Sequence, residues 1–479
     1  MAELKPKAVF DYFAQINRVP RPSKHEEKMI AFLQNFAQQH GLPCRVDQAG
    51  NVLISKPATA GREDRPGVVL QGHMDMVCEK LSTLDFDFET QPIETYVDGD
   101  WMKARGTTLG ADDGIGVAMA MAVLTDDTLE HGPIECLFTR DEETGLTGAF
   151  EIQPGFMTGK YLINLDSEDE GEIFVGCAGG VNTTATFRFK REPLPDGFIT
   201  LRVSVDKLTG GHSGDDINKR RANANKLLGR LLFQLWQTYD VRLLDIKGGN
   251  LHNAIPRDAT ALIAVPAADK ERVRVDFNVF ASEVEAEFHV EEPTMQWLLQ
   301  TETTGLAAID SATSRSLVYA LQAVHNGILE MNQDIHELVE TSSNLASIRV
   351  GDDQIVVLSS QRSSALSSRE NMSRTFAATF QLAGAQTETG DGYPGWAPNP
   401  DSELLRITVK AYEKLFGKSP KVRAIHAGLE CGLFSEKYPG LDMVSFGPTL
   451  RGVHSPDERL EIPTVQMVWD HLLEILRNI

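Results

Sequence analysis

The chain has 479 residues, 42% hydrophobic and 24% charged, with 46 basic against 68 acidic side chains and a net charge of −22. That length exceeds what one hydrophobic core supports, so two or more domains are expected. The acidic balance excludes nucleic acid as a partner, because phosphate binding needs basic surface. It fits an ordinary solvated surface and is weak evidence for metal.

The N-terminal stretch Met1-Ala2-Glu3-Leu4-Lys5-Pro6 has no apolar signal core, and no run of about eighteen apolar residues follows. A cytoplasmic protein with no membrane partner is therefore expected. The five cysteines (Cys44, Cys78, Cys136, Cys177, Cys431) are scattered, without a Cys-x-x-Cys pair, and read as reduced thiols.

The first predicted helix covers 9–17. Ser23-Lys24-His25-Glu26 reads as a capping box for a second. Its apolar face is Met29, Ile30, Leu33, Phe36 and Ala37, and Gly41 is its stop. Strands are predicted over 44–46 and 51–55. Val68-Val69-Leu70-Gln71-Gly72-His73-Met74-Asp75 then reads as a short buried strand that ends at His73, with Asp75 two residues on. In open α/β sheets ligands bind at the C-terminal strand ends. An imidazole there, with a carboxylate to orient its other nitrogen, is an arrangement metals favour. Nearby Cys78 reads as packing.

Gly106 to Gly116 is a glycine loop carrying Asp112 and Asp113 at or just before a helix predicted over 115–124. Two readings stand: simple N-caps, or a bridging metal carboxylate. Strand 134–138 runs into Glu142-Glu143-Thr144-Gly145, and strand 161–165 into Asp166-Ser167-Glu168. Three strands in succession thus run from apolar residues into acids. Together with the Asp pair they argue for one cluster of ligands. Mixed imidazole and carboxylate suits zinc or manganese better than calcium or magnesium.

From 181 to 391 the texture changes. Strands are predicted over 184–189, 199–205, 260–265, 273–280, 345–350 and 354–359, and helices over 222–237, 313–325 and 369–382. The segment reads as two β-α-β-type halves side by side, without a sequence repeat. Three spots stand out: Gly210-Gly211-His212-Ser213-Gly214, Asn250 to Pro256 with Asn253 inside it, and Gln361-Arg362-Ser363-Ser364. His212 alone reads as a turn histidine between glycines. Arg362 is either a solvated strand-end arginine or a planar clamp for a carboxylate. A turn-rich join over 393–400 leads to a helix (402–415), strands over 421–425 and 443–446, His454-Ser455-Pro456-Asp457-Glu458, and a last helix (465–476).

Several runs together carry a resemblance. They are Gln71-Gly72-His73-Met74-Asp75, Gly110-Ala111-Asp112-Asp113-Gly114, Glu142-Glu143-Thr144-Gly145, Asn164-Leu165-Asp166-Ser167-Glu168, Gly176-Cys177-Ala178-Gly179-Gly180, Gly210-Gly211-His212-Ser213-Gly214, His426-Ala427-Gly428-Leu429-Glu430-Cys431-Gly432 and Val453-His454-Ser455-Pro456. In that order they resemble the dinuclear-zinc aminoacylase, carboxypeptidase and dipeptidase superfamily, and within it the bacterial dipeptidases.

The resemblance implies an α/β, zinc-peptidase-like catalytic domain with a central mixed sheet flanked by helices. It would be made from residues 1–180 and 392–479, with 181–391 inserted as an α+β lid that closes over substrate. It implies two zinc ions per subunit, with cobalt or manganese as substitutes. His73, Asp112 and Asp166 would hold one; Asp112, Glu143 and His454 would hold the other, with Asp112 bridging. Asp75 would orient His73, and the Asp112–Asp113 peptide would be cis.

Adjacent side chains point in different directions, so one of Glu142 and Glu143 can bind metal while the other faces the shared water. The family pattern gives Glu143 to the metal and Glu142 to the proton. The expected activity is cleavage of Xaa-His and other unblocked dipeptides, small peptides being the partners, by a metal-bridging hydroxide. His212 fits the pattern of a donor to the oxyanion. Asn253 is either a plain turn residue or a lid donor to the substrate. His426 and Glu430 either line the site or pack near it. His25, His131 and His252 read as structural or exposed.

Two alternatives stand beside this: an N-acyl amino acid deacylase or carboxypeptidase on the same metals, and a non-catalytic binding member. The intact ligand set and Glu142 weigh against the second. The lid is long for the family and would supply internally what shorter-lid relatives take from a partner chain; a homodimer is left open.

Overall fold

In the computed structural model, which describes residues 4–333, 335 and 337–479, the chain divides by its internal contacts into two compact units. One comprises Met1–Gly176, Trp396–Ala424 and Leu429–Ile479, the other Cys177–Gly395 and Ile425–Gly428. Of the N-terminal stretch read above, Met1-Ala2-Glu3 lie outside the described residues. Among the described residues no helix is long and apolar enough to cross a membrane.

The first unit is built on an eight-stranded mixed sheet. Its order is Cys44–Val46, Val52–Lys56, Ile134–Thr139, Val68–His73, Tyr161–Asn164, Asp442–Ser445, Glu172–Cys177, Lys421–Ile425. The four strands from Ile134–Thr139 to Asp442–Ser445 run parallel. Parallel strands need both faces covered, which is why Val68–His73 is buried at every residue. Helix Ala111–Thr125, rich in alanine and methionine, packs on that strand and is buried over nearly its whole length. The register pairs His73 with Thr139 and Gln71 with Asn164. Three adjacent strands therefore stop at one edge, and their next residues leave from it together.

A separate four-stranded sheet, ordered Leu450–Arg451, Arg459–Glu461, Trp101–Ala104, Thr95–Asp98, anchors the C-terminal segment. Leu450 pairs with Leu460 and Arg451 with Arg459, so His454 rides in the loop of a hairpin.

The second unit holds a nine-stranded sheet: Gln296–Glu302, Phe198–Asp206, Ala259–Pro266, Arg242–Gly248, Val339–Val350, Gln354–Ser363, Gly179–Arg188, Gln386–Thr389, with Gly327–Met331 beside Val339–Val350. It is one antiparallel sheet rather than two β-α-β-type halves, because Gly248 pairs with Ile348 and joins its two sides. Its core gathers Leu201, Val203, Leu228, Ile263, Phe280 and Phe380 between sheet and helices.

Two local expectations differ from the structure. The segment 273–280, expected as a strand, lies in helix Lys270–Glu287. Its β-branched residues hid a helical spacing, with Val273, Phe277, Phe280, Ala281 and Val284 buried on one face. The capping box does not form. Helix Glu27–Gln39 starts later, the Ser23 hydroxyl donates to Asp75 at 2.7 Å, and Glu26 accepts the N–H groups of Lys24 and Asp141. A buried carboxylate outcompetes a helix end for the serine.

Residues Ile425–Gly428 belong to the second unit although their sequence neighbours belong to the first. The Ala178 N–H reaches the carbonyls of Ile425 and Ala427, each at 3.0 Å, and His426 Nε2 lies 2.7 Å from Ser342 Oγ.

Candidate metal centre and active site

His73 ends its strand fully buried, with its two nitrogens separately engaged. Nδ1 lies 3.3 Å from Asp75 Oδ1, and Nε2 lies 3.0 Å from Asp112 Oδ1 and 3.5 Å from Asp166 Oδ1. Asp112 sits at the start of helix Ala111–Thr125 with non-helical backbone, and its peptide to Asp113 is cis. Its second oxygen lies 3.2 Å from His454 Nε2, which is also 3.0 Å from Glu143 Oε2. Glu142 and Glu143 open a single helical turn, Glu142–Gly145, directly after strand Ile134–Thr139. Asp75 holds this turn, since its oxygens accept the N–H groups of Glu142 at 3.1 Å and Glu143 at 3.3 Å.

The residues fit divalent cations. His73, Asp112 and Asp166 bring ligand atoms within 4.8 Å of one another, as do Asp112, Glu143 and His454, and Asp112 belongs to both sets. Imidazole nitrogen with carboxylate oxygen is a donor set zinc accepts. Among the described residues Glu143 Oε1 is buried with no hydrogen-bond donor. The local field also favours positive charge. Burial opposes protonation of His73, but Asp166 and the bonds to Asp112, Asp166 and Asp75 raise its pKa well above the ordinary histidine range. Hydrogen bonds to Asp112 and Glu143 push His454 up to about 11. Asp113, Asp166 and Glu142 are pushed above the usual carboxylate range, chiefly by burial.

A further acid group, Glu26, Asp75 and Asp141, has its charges answered by protein. Arg140 pairs with Glu26 at 2.9 Å, Ser23 serves Asp75, and the hydroxyls of Thr144 and Thr147 serve Asp141. Glu430 lies under the strand ends, accepting from Gln71 at 2.6 Å and Thr139 at 2.8 Å, and burial pushes its pKa up to about 7. Burial pushes the Cys78 thiol up to about 12, which removes it as a nucleophile.

The second unit carries its own polar cluster. Strand Gly211–His212 pairs with Ala254–Ile255, and the Ser213 N–H donates to the Asn253 carbonyl at 2.8 Å, which seats His212 beside Asn253. His212 Nδ1 accepts the N–H groups of Gly214 at 3.3 Å and Asp215 at 3.2 Å. Its other ring nitrogen, Nε2, lies 3.4 Å from Arg362 Nη2. Arg362 is buried, and its Nη1 donates to the Tyr393 hydroxyl at 2.8 Å. His426, beside Ser342, is held down to about 4 by burial and by the Arg362 charge, so it stays neutral. His25 and His252 are exposed, and His131 is buried against the Gly132 carbonyl.

Residues 69–478 match the family described as Peptidase family M20/M25/M40. The chain belongs to this peptidase family. Over its full length it is 42% identical to the cytosol non-specific dipeptidase of Escherichia coli, 99% of which is covered. Its fold matches the crystal structure of aminoacylhistidine dipeptidase from Vibrio alginolyticus with a TM-score of 0.92 and 43% identity, over 99% of this chain and 97% of that one. Aminopeptidase PepT from Bacillus cereus, 15% identical, shares the fold at a TM-score of 0.59 over 99% of both chains.

In this member of the peptidase family, four supporting residues escaped the sequence reading. Ser23 serves Asp75, and Tyr393 holds Arg362. Arg21 and Glu458 hold the loop before Asp112. Arg21 and Glu458 are buried charges, and burial at a loop position is not visible in sequence.

Proposed function

We propose that this chain is a cytoplasmic dinuclear-metal dipeptidase, cleaving Xaa-His and other unblocked dipeptides. In this reading His73, Asp112 and Asp166 hold one zinc ion and Asp112, Glu143 and His454 the other, with cobalt or manganese as substitutes. The observation that carries it is at Asp112, whose Oδ1 faces His73 at 3.0 Å and whose Oδ2 faces His454 at 3.2 Å. A carboxylate that turns one oxygen to each of two ligand sets is what a shared pair of cations requires. The dipeptide as substrate is supported by the full-length identity to a relative named for that activity.

Bound there, two divalent cations would polarise the scissile carbonyl and make a shared water acidic near neutral pH. The chain's own residues do the rest. Glu142 takes a proton from the attacking water as its oxygen bonds to the carbonyl carbon. It returns that proton to the amine nitrogen as the C–N bond breaks. Its carboxylate lies within 4.8 Å of the ligand atoms of His73 and Glu143, close enough to reach a water between them. Asp75 keeps the imidazole of His73 and the Glu142-Glu143 turn in register. His212 donates from Nε2 to the oxyanion, Asn253 donates to the substrate, and Arg362 takes the C-terminal carboxylate, which sets substrate length.

A panel of free dipeptides, C-terminally amidated dipeptides and N-acyl amino acids, assayed with and without chelator, tests the reading. Free dipeptides should turn over fastest, and chelation should abolish it. Faster cleavage of N-acyl amino acids would make the chain a deacylase, and chelator-resistant turnover would remove the metals.

A further inference from the structure

Glu458 lies four residues after His454, at the foot of the same hairpin loop, and is buried. Its Oε2 accepts the N–H groups of Leu109 at 2.7 Å and Gly110 at 3.1 Å. Its Oε1 accepts those of Ala111 at 2.8 Å and Asp112 at 3.4 Å. Four successive amides converge on one carboxylate, filling with a side chain the kind of backbone nest that elsewhere takes a free anion. Gly110 makes the turn possible at φ +68.

Arg21 grips the same segment through its carbonyls. Nη2 donates to the Gly110 carbonyl at 2.6 Å, and Nη1 donates to the Asp75 carbonyl at 2.7 Å and to that of Met74 at 3.4 Å. A Cβ at residue 110 or 114 would stand 2.5 or 2.6 Å from that Nη2, so the glycines leave room for the guanidinium. Gly110 therefore gives its N–H to Glu458 and its carbonyl to Arg21. Through these two buried charges the Asp112 loop is tied on one side to the His454 hairpin and on the other to the segment after His73.

We propose that Glu458 and Arg21 are positioning residues for the metal centre, holding the Asp112 carboxylate so that its two oxygens meet His73 and His454 at once. The hydrogen bonds of both run to main-chain groups, so each acts through the backbone that presents Asp112. Charge-assisted bonds to main-chain groups define a loop more tightly than neutral ones. Removing a partner of a metal ligand typically costs about 10–100-fold in metal affinity or activity. The inference rests on the dinuclear reading above.

Metal-free wild type and Glu458→Gln would be titrated with Co²⁺, following the visible d–d absorption and the stoichiometry, beside melting curves of the metal-free proteins. Failure of the wild type to take two equivalents would overturn the dinuclear reading itself. With that intact, Glu458→Gln should melt near the wild type, bind Co²⁺ about 10–100-fold more weakly with an altered spectrum, and lose kcat with KM little changed. Wild-type affinity and spectrum would overturn the positioning role. Should the glutamine variant fail to fold, Glu458→Asp decides, since it keeps the charge but spans fewer of the four amides. A folded aspartate variant with weakened Co²⁺ binding supports the role; one with unchanged binding, or one that also fails to fold, makes Glu458 a staple of the fold and overturns it.

Discussion

Asp75 Oδ1 accepts the backbone N–H of Glu142 at 3.1 Å. The same carboxylate meets His73 Nδ1 at 3.3 Å, the Ser23 hydroxyl at 2.7 Å and the Glu143 N–H at 3.3 Å. One side chain thus sets the angle of an imidazole and the position of the turn with the two glutamates. Asp75→Asn keeps the shape but turns an NH₂ group against donors. Metal affinity and kcat should each fall about 10–100-fold. Metal analysis after dialysis and steady-state kinetics check this, and a wild-type-like variant would reduce Asp75 to a spectator.

Arg362 should govern substrate binding more than turnover. Losing a hydrogen bond to a charged group costs about 1.5–3 kcal/mol, so Arg362→Ala should raise KM for dipeptides about 10–100-fold. Tyr393→Phe removes only the hydroxyl on Nη1 and should raise KM a few-fold, in the same direction. Equal cleavage of free and amidated dipeptides by the wild type would dispose of the carboxylate clamp.

Stability should depend on pH through His471. Its Nε2 donates to the Thr408 carbonyl at 2.8 Å, and burial holds its pKa down to about 4. In the unfolded chain an imidazole titrates near 6.5. Between those values the unfolded state binds a proton that the folded state refuses. Stability is therefore complete above pH 6.5 and falls toward pH 4, by on the order of 3 kcal/mol. His471→Gln keeps a donor for Thr408 and cannot titrate. Urea unfolding of the metal-free proteins, read at neighbouring Trp469, should show the glutamine variant gaining on the wild type between pH 7 and pH 4. A constant difference would show that His471 does not titrate on unfolding.

How much was legible follows from how local each signal is. His73, Glu143 and Asp166 announce themselves as polar residues ending apolar runs, and parallel pairing turns three strand ends into one cluster. Asp112 reads in sequence either as a cap or as a ligand, and nothing in its own stretch places one of its oxygens at His73 and the other at His454. Arg21 and Glu458 were illegible because their partners lie far off in sequence: Asp75 is 54 residues from Arg21, and Ala111 is 347 from Glu458. Residues 273–280 read as a strand because valine has high β propensity, and tertiary burial on one face of helix Lys270–Glu287 overrides it.

The sharpest test separates two neighbours. Glu143 Oε2 lies 3.0 Å from His454 Nε2, whereas Glu142 brings a carboxylate oxygen within 4.8 Å of ligand atoms of His73 and Glu143. A carboxylate bound to metal is too stabilised as an anion to carry a proton, while a free one beside it can alternate between states. Glu142→Gln preserves volume and removes the base, so it should keep two metals per chain and lose about 10²–10⁴-fold or more in kcat. Glu143→Gln should instead release one metal. Metal analysis of both variants beside their turnover decides the assignment. An active Glu142→Gln enzyme, or one that sheds a metal while Glu143→Gln keeps both, would overturn the assignment.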